Sequence, residues 1–165
     1  MTMKAAVLTA SDKGAAGTRQ DESGRILQDI LQENGYELCA YRLVSDNKEE
    51  IQNALIELCD KEHANLILTT GGTGFSPRDN TPEATMAVSQ RNAQGVAEAI
   101  RAYSLSITPR AMLSRGVSVL RGECLIVNLP GSPKAAKECA EYILPSIKHG
   151  IEILTGKAGE CSRKE

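Results

Sequence analysis

Two periods alternate along this chain, and each change of period marks a new element. Residues 5–10 form an unbroken, mostly apolar run of strand length, bounded by Lys4 and by Ser11-Asp12, which predicts a strand buried on both faces. Over 23–34 the period becomes helical. Ile26, Leu27, Ile30 and Leu31 share one face there, and Gly35 supplies the stop. The alternation then repeats, with a strand predicted over 36–44, a helix over 47–60 through Ile51, Ala54, Leu55 and Leu58, and a short buried strand over 65–70. A helix over 81–89 has Thr81 placed as N-cap and Pro82 at the first helical position, where its missing N–H costs nothing. Another helix follows over 95–106. Strands over 117–120 and 124–129 are separated by Arg121-Gly122-Glu123, short enough for a hairpin. A long helix over 132–154 contains Pro145, which predicts a kink or a break.

Strand-helix alternation of this kind predicts an α/β fold, a three-layer α/β/α sandwich with a mostly parallel central sheet and one antiparallel hairpin strand. Residues 1–154 read as one domain, and the Gly-, Lys- and Glu-containing tail 155–165 as a flexible extension. At 165 residues the chain is long enough to bury roughly 70% of its unfolded surface. A content of 41% hydrophobic and 24% charged residues excludes a disordered chain. Aromatics reach only 3%, with no Trp and one Phe, so the core is aliphatic and little is available to stack nucleic-acid bases. The net charge of −2 removes any general attraction to nucleic acid or to an acidic membrane, so an anion must be held by local groups. With no apolar run of membrane-spanning length, and a start that leads into a strand rather than a signal peptide, the expectation is a cytoplasmic protein without membrane or nucleic-acid partners. Five scattered cysteines without a Cys-x-x-Cys pair read as free thiols.

In such sheets ligands bind where the strands end, which directs attention to the loops 11–22, 45–47, 71–80 and 130–133. The stretch 69–83, TTGGTGFSPRDNTPE, carries the strongest signal. Gly71, Gly72 and Gly74 leave backbone amides bare for an anion, although a tight turn that merely needs glycine is the plain alternative. No Gly-Lys-Ser/Thr follows, so this is not a P-loop, and the third glycine of the dinucleotide fingerprint is absent. With Thr81 as cap, Asp79 has no structural task. A carboxylate beside a phosphate is ordinarily reconciled by a shared divalent cation, the alternatives being an Asx turn or a pair with Arg78. Asp46 stands three residues before Glu49, and helix capping explains it locally. The first loop, with Ser11, Asp12, Lys13 and Arg19, reads equally as ordinary loop chemistry or as a source of positive charge. Pro130-Gly131-Ser132-Pro133 starts a helix, whose N-terminus also suits an anion. Phe75 reads as a hydrophobic anchor for the glycine loop, an adenine stack being the alternative.

Thr9-Ala10-Ser11-Asp12, Gly17 through Asp21 to Ser23-Gly24, Gly71-Gly72-Thr73-Gly74 with Arg78-Asp79 and Thr81-Pro82-Glu83, Leu113-Ser114-Arg115, and Asn128 to Pro133 together resemble the MogA/MoaB family of molybdenum-cofactor biosynthesis, which includes the gephyrin G domain. The resemblance covers nearly the whole chain and leans toward the MogA branch. Asn80 stands where relatives often carry Val or Ser. The resemblance implies molybdopterin adenylyltransferase activity, with AMP passing from Mg-ATP to the terminal phosphate of molybdopterin, and a homotrimer that hands its product to a molybdate-inserting enzyme. It implies Asp46 and Asp79 as the catalytic pair, and the chemistry of a carboxylate beside phosphate makes them the expected Mg²⁺ ligands. It also implies Ser11, Asp12, Gly71, Gly72, Thr73, Gly74, Arg78, Ser114, Pro130, Gly131 and Ser132 as binding residues. Lys13, Arg78 or Lys134 would offset developing charge. A catalytically silent molybdopterin-binding scaffold is the alternative a shared fold leaves open.

Overall fold

The computed structural model describes residues 2–158. Strands β1 (Lys4–Ala10), β2 (Glu37–Val44), β3 (Leu66–Thr70), β4 (Arg91–Asn92), β5 (Ser118–Arg121) and β6 (Cys124–Leu129) form one sheet in the order β2-β1-β3-β6-β5-β4. The β1–β2, β1–β3 and β3–β6 pairs are parallel, and β5 pairs antiparallel with both β6 and β4. The helices are α1 (Asp12–Ala15), α2 (Glu22–Glu33), α3 (Lys48–Asp60), α4 (Thr81–Val88), α5 (Gln94–Leu105) and α6 (Pro133–Leu154), with a 3₁₀ turn over Pro109–Leu113.

The strand period sorts the core into two halves. Ala5 and Val7 of β1 join Leu66, Leu68, Leu125 and Val127 against α2, α5 and α6, while Ala6, Leu8 and Ala10 join Ile67 and Ile126 against α3 and α4. Helices therefore cover both faces, which is why the central strands are apolar without alternation. Asn128 is the polar exception inside β6. Its Nδ2 donates to Thr69 Oγ1 and Thr85 Oγ1, each at 3.0 Å, and its Oδ1 accepts from Val117 N at 3.1 Å. One buried amide thus ties β6 to β3, to α4 and to the start of β5.

Several expectations from sequence are corrected. Thr81 does not cap α4: it is the first helical residue, its Oγ1 donates to Gly71 O (2.9 Å) and its N to Gly72 O (3.1 Å). Asn80 occupies the N-cap position and makes no capping bond, its amide being taken by Asp46 O at 3.0 Å. Tertiary bonds outweigh local capping preference at both positions. The first loop contains a helical turn, α1, capped by Ser11, whose Oγ accepts from Gly14 N at 3.0 Å. Pro145 does not break α6, because buried Ile143, Leu144 and Ile147 hold the helix against the sheet on either side of it. Phe75 is 70% exposed and anchors nothing. Of the tail, Thr155 Oγ1 donates to Ile151 O (2.9 Å) and Lys157 N to Glu152 O (2.8 Å). Residues 159–165, including Cys161, lie outside the described residues, and Cys39, Cys59, Cys124 and Cys139 are free thiols.

Where β3 ends, the chain turns at once. Gly71 and Gly72 have φ of 90° and 70°, and a methyl group on Gly71 would lie 2.3 Å from the Ala10 carbonyl oxygen. Gly35 has a similar φ of 82° but nothing within 4 Å of the same position. Gly35→Ala is expected to cost only the left-handed strain of about 1–2 kcal/mol. Gly71→Ala is expected to lose at least about 2 kcal/mol more, lowering the melting temperature by a further 4–8 °C or so. Equal melting shifts for the two variants would show that the Ala10 contact carries no cost.

Candidate active site

A cleft of about 670 Å³ opens where β1, β3 and β6 end, bordered by Ser11, Asp46, Gly71, Gly72, Asp79, Gly131 and Ser132. A smaller hollow of about 360 Å³ lies across the glycine loop, bordered by Thr73, Gly74, Ser114 and Pro130 and sharing Gly72, Asp79 and Gly131 with the cleft. Asp79 therefore borders both spaces.

Asp46 is not a helix cap. Asn47 caps α3, its side chain accepting from Glu50 N at 3.1 Å. The Asp46 carboxylate is instead held by a reciprocal pair: Asp12 N donates to Asp46 Oδ2 (3.0 Å) and Asp46 N to Asp12 Oδ1 (2.9 Å). Arg78 completes this group, with Nε 2.9 Å from Asp12 Oδ2 and Nη2 2.8 Å from Asp12 Oδ1. The fork of Arg78 holds the Asp12 carboxyl down at about 2, helped by the Asp46 backbone amide. Asp46 is pushed the other way. Burial raises it, and the negative charges of Asp12 and Asp79 raise it further.

Asp79 closes its own turn, with Asp79 N donating to Ser76 O (2.9 Å) and Ser76 N donating to Asp79 Oδ2 (3.0 Å). The local-turn alternative is therefore realised in part, whereas a pair with Arg78 is not. Arg78 is committed to Asp12. Two of the three glycines are demanded by the turn itself, since a methyl group on Gly72 would also lie 2.4 Å from Thr81 Oγ1. The loop still offers donors: among the described residues the amides of Gly72, Thr73 and Gly74 give no hydrogen bond to a protein acceptor.

Ser132 caps α6 through Ala135 N at 3.2 Å, and Pro130 O and Gly131 O accept from Thr70 Oγ1 and Ser23 Oγ, each at 2.7 Å. These bonds fix the third wall. Neither Lys13 nor Lys134 borders the cleft or the hollow; among the described residues the cations that do are Arg19 in the cleft and Arg110 in the hollow. Arg110 was not legible from sequence, because nothing in Pro109–Leu113 marks a loop that folds back toward residues 72–74. Asp21 was visible only as part of a motif. It caps α2 through Gly24 N (2.9 Å), accepts from the Tyr41 hydroxyl, and faces the cleft. Burial and that hydrogen bond push the Tyr41 phenol upward.

Residues 6–149 match the model of the family described as a probable molybdopterin binding domain. A molybdopterin adenylyltransferase of Helicobacter pylori (strain J99) is 39% identical over 166 residues, covering 99% of this chain and 94% of the relative. Gephyrin of Dictyostelium discoideum is 40% identical over 161 residues, which are 92% of this chain but 22% of gephyrin. Among solved structures, the molybdopterin biosynthesis enzyme MoaB of Thermus thermophilus superposes with a TM-score of 0.89 at 45% identity, covering 96% of this chain and all of that one (100%). The matched residues span every parallel strand and each loop that walls the cleft, and the chain belongs to the probable molybdopterin binding domain family, the MogA/MoaB family its loops resemble.

Proposed function

We propose that this chain is a molybdopterin adenylyltransferase, transferring AMP from Mg-ATP to the terminal phosphate of molybdopterin with release of pyrophosphate. The observation that carries the reading is the convergence of Asp46 and Asp79 on one cleft beside the unpartnered amides of Gly72, Thr73 and Gly74. Relatives of nearly full length that bear the adenylyltransferase name support it.

The nucleophile, a phosphate oxygen of molybdopterin, is already anionic at neutral pH and needs no general base. It forms a bond to the α-phosphorus of ATP as the bond to the β-phosphate oxygen breaks, and the electron pair leaves with pyrophosphate. The protein's task is alignment and charge neutralisation. Two phosphate-bearing substrates suit two spaces that meet at Asp79, with Arg19 bordering the cleft and Arg110 the hollow.

The residues fit a magnesium ion that arrives with the nucleotide. Asp46 and Asp79 each give one oxygen to a backbone amide and keep the other. Among the described residues no group of three or more possible ligands exists for a resident metal. Magnesium takes one or two carboxylates together with substrate phosphates and water, and when bound it supplies neutralisation of phosphate charge.

The homotrimer, the cytoplasmic location and hand-over to a molybdate-inserting enzyme belong to the same reading. No helix of the described residues is long and apolar enough to cross a membrane. Light scattering is expected to give about three times the 17.7 kDa chain mass.

The direct assay is pyrophosphate release. It is expected to require ATP, Mg²⁺ and molybdopterin together. Molybdopterin binding without release would instead identify a silent scaffold, and release that depends on molybdate an insertion enzyme.

A pH profile follows from the raised Asp46. To share a cation, Asp46 must lose its proton, and a raised pKa moves that loss to higher pH. The acid limb of kcat/KM for Mg-ATP, which reports the free enzyme, is expected above the ordinary carboxylate value of about 3.9. Asp12→Asn removes a negative neighbour and frees Arg78, so the limb is expected to move to lower pH. A limb that stays in place or moves up contradicts this electrostatic arrangement.

A further inference from the structure

One guanidinium grips both ends of the segment that carries Asp79. Arg115 lies between the 3₁₀ turn and β5, and its own backbone N donates to Thr73 O at 2.8 Å. Its Nε donates to Gly74 O at 2.7 Å and its Nη2 to Asp79 O at 2.9 Å, while Nη1 pairs with Glu83 in the first turn of α4. Between these two carbonyls the segment is tied outside the turn by the exposed Arg78 side chain on Asp12, which leaves the backbone itself unheld from outside. Phe75 is exposed, and the bonds linking Ser76, Arg78 and Asp79 stay within the turn. Arg115 borders neither the cleft nor the hollow.

We propose that Arg115 is a positioning residue: it sets the Asp79 carboxylate by clamping the Gly74 and Asp79 carbonyls, without touching substrate. A planar fork suits this task because two of its nitrogens reach two carbonyls while the third meets Glu83. A lysine ammonium is a single point charge on a flexible stem and cannot span the same set. The kinetic consequence rests on the adenylyltransferase reading, but the clamp itself does not.

The test uses the full chain without substrate first. Amide hydrogen exchange at Ser76 and Asp79 is expected to accelerate at least about tenfold in Arg115→Ala, by less in Arg115→Lys, and to stay unchanged in β1 and β3. Glu83→Gln breaks the ion pair but leaves both carbonyl contacts, so exchange there is expected to stay within about threefold of wild type. In turnover, Arg115→Ala is expected to lower kcat about 10–100-fold, the usual range for residues that orient a ligand, with KM for ATP within about threefold. Added guanidinium is expected to restore part of the kcat of Arg115→Ala and none of Asp79→Asn. Unchanged exchange at Ser76 and Asp79 in Arg115→Ala overturns the proposal, as does an equal loosening in Glu83→Gln. Should Arg115→Ala fail to fold, Arg115→Lys decides the same comparison. An inactive wild type would sink the functional reading while the exchange result still judges the clamp.

Discussion

The site depends on one steric constraint, the closeness with which β1, β3 and β6 end. Thr9 pairs with Thr70 and Thr70 with Leu129, so the three parallel strands finish level with one another. The chain leaving β3 then passes against the Ala10 carbonyl on one side, and a methyl group on Gly131 would lie 3.3 Å from Gly71 Cα on the other. A side chain is excluded at Gly71 and would meet a tight contact at Gly131. Because these loops are pressed together, the residue after β1, the residue two beyond β2 and the turn after β3 bring Ser11, Asp46 and Asp79 to the wall of a single cleft. The glycines thus act first through packing, and only the amides of residues 72–74 remain for a ligand.

That closeness creates an electrostatic problem. Asp12, Asp46 and Asp79 gather at one sheet edge of a chain whose net charge is already −2. Arg78 relieves Asp12 and holds its pKa low, but its weaker pull on Asp46 is outweighed by burial and by the acidic neighbours, so Asp46 stays raised. A carboxyl raised in this way is costly to ionise alone and favourable to ionise beside a cation. Arg19 and Arg110 border these spaces but neither pairs with Asp46 or Asp79, so positive charge arriving with an anionic substrate would ease the site, which is the physical reason the proposed reading includes the magnesium salt of ATP.

Much of this was legible in the sequence. Among the described residues the two periods located every long helix and five of the six strands, because burial on one or both faces leaves a regular trace. Asp79 stood out on the premise that Thr81 caps α4 and leaves it no local role, whereas it closes its own turn with Ser76 and also borders the cleft. What escaped was set by contacts distant in sequence. Thr81 has ideal capping chemistry, yet its hydroxyl bonds to Gly71, while Asp46 looks like a cap although Asn47 does the capping. The two-residue strand β4 has no period to detect, and α1 is a single turn inside a polar loop. Arg115 belonged to a recognised tripeptide, but its grip on Gly74 and Asp79 crosses 41 and 36 residues. Phe75 shows the reverse error. An apolar residue in a polar loop invites an anchoring role, and the fold leaves it in solvent.

Whether Asp46 and Asp79 act as one unit is decided most directly by a double-mutant cycle on Mg-ATP turnover. Groups that serve one cation lose their joint effect when either is removed. Asp46→Asn and Asp79→Asn are each expected to lower kcat/KM at least about 100-fold, and the double variant to fall no more than about tenfold below the worse single one. A double variant whose loss equals the product of the two single losses would show independent roles and contradict a shared metal-phosphate site.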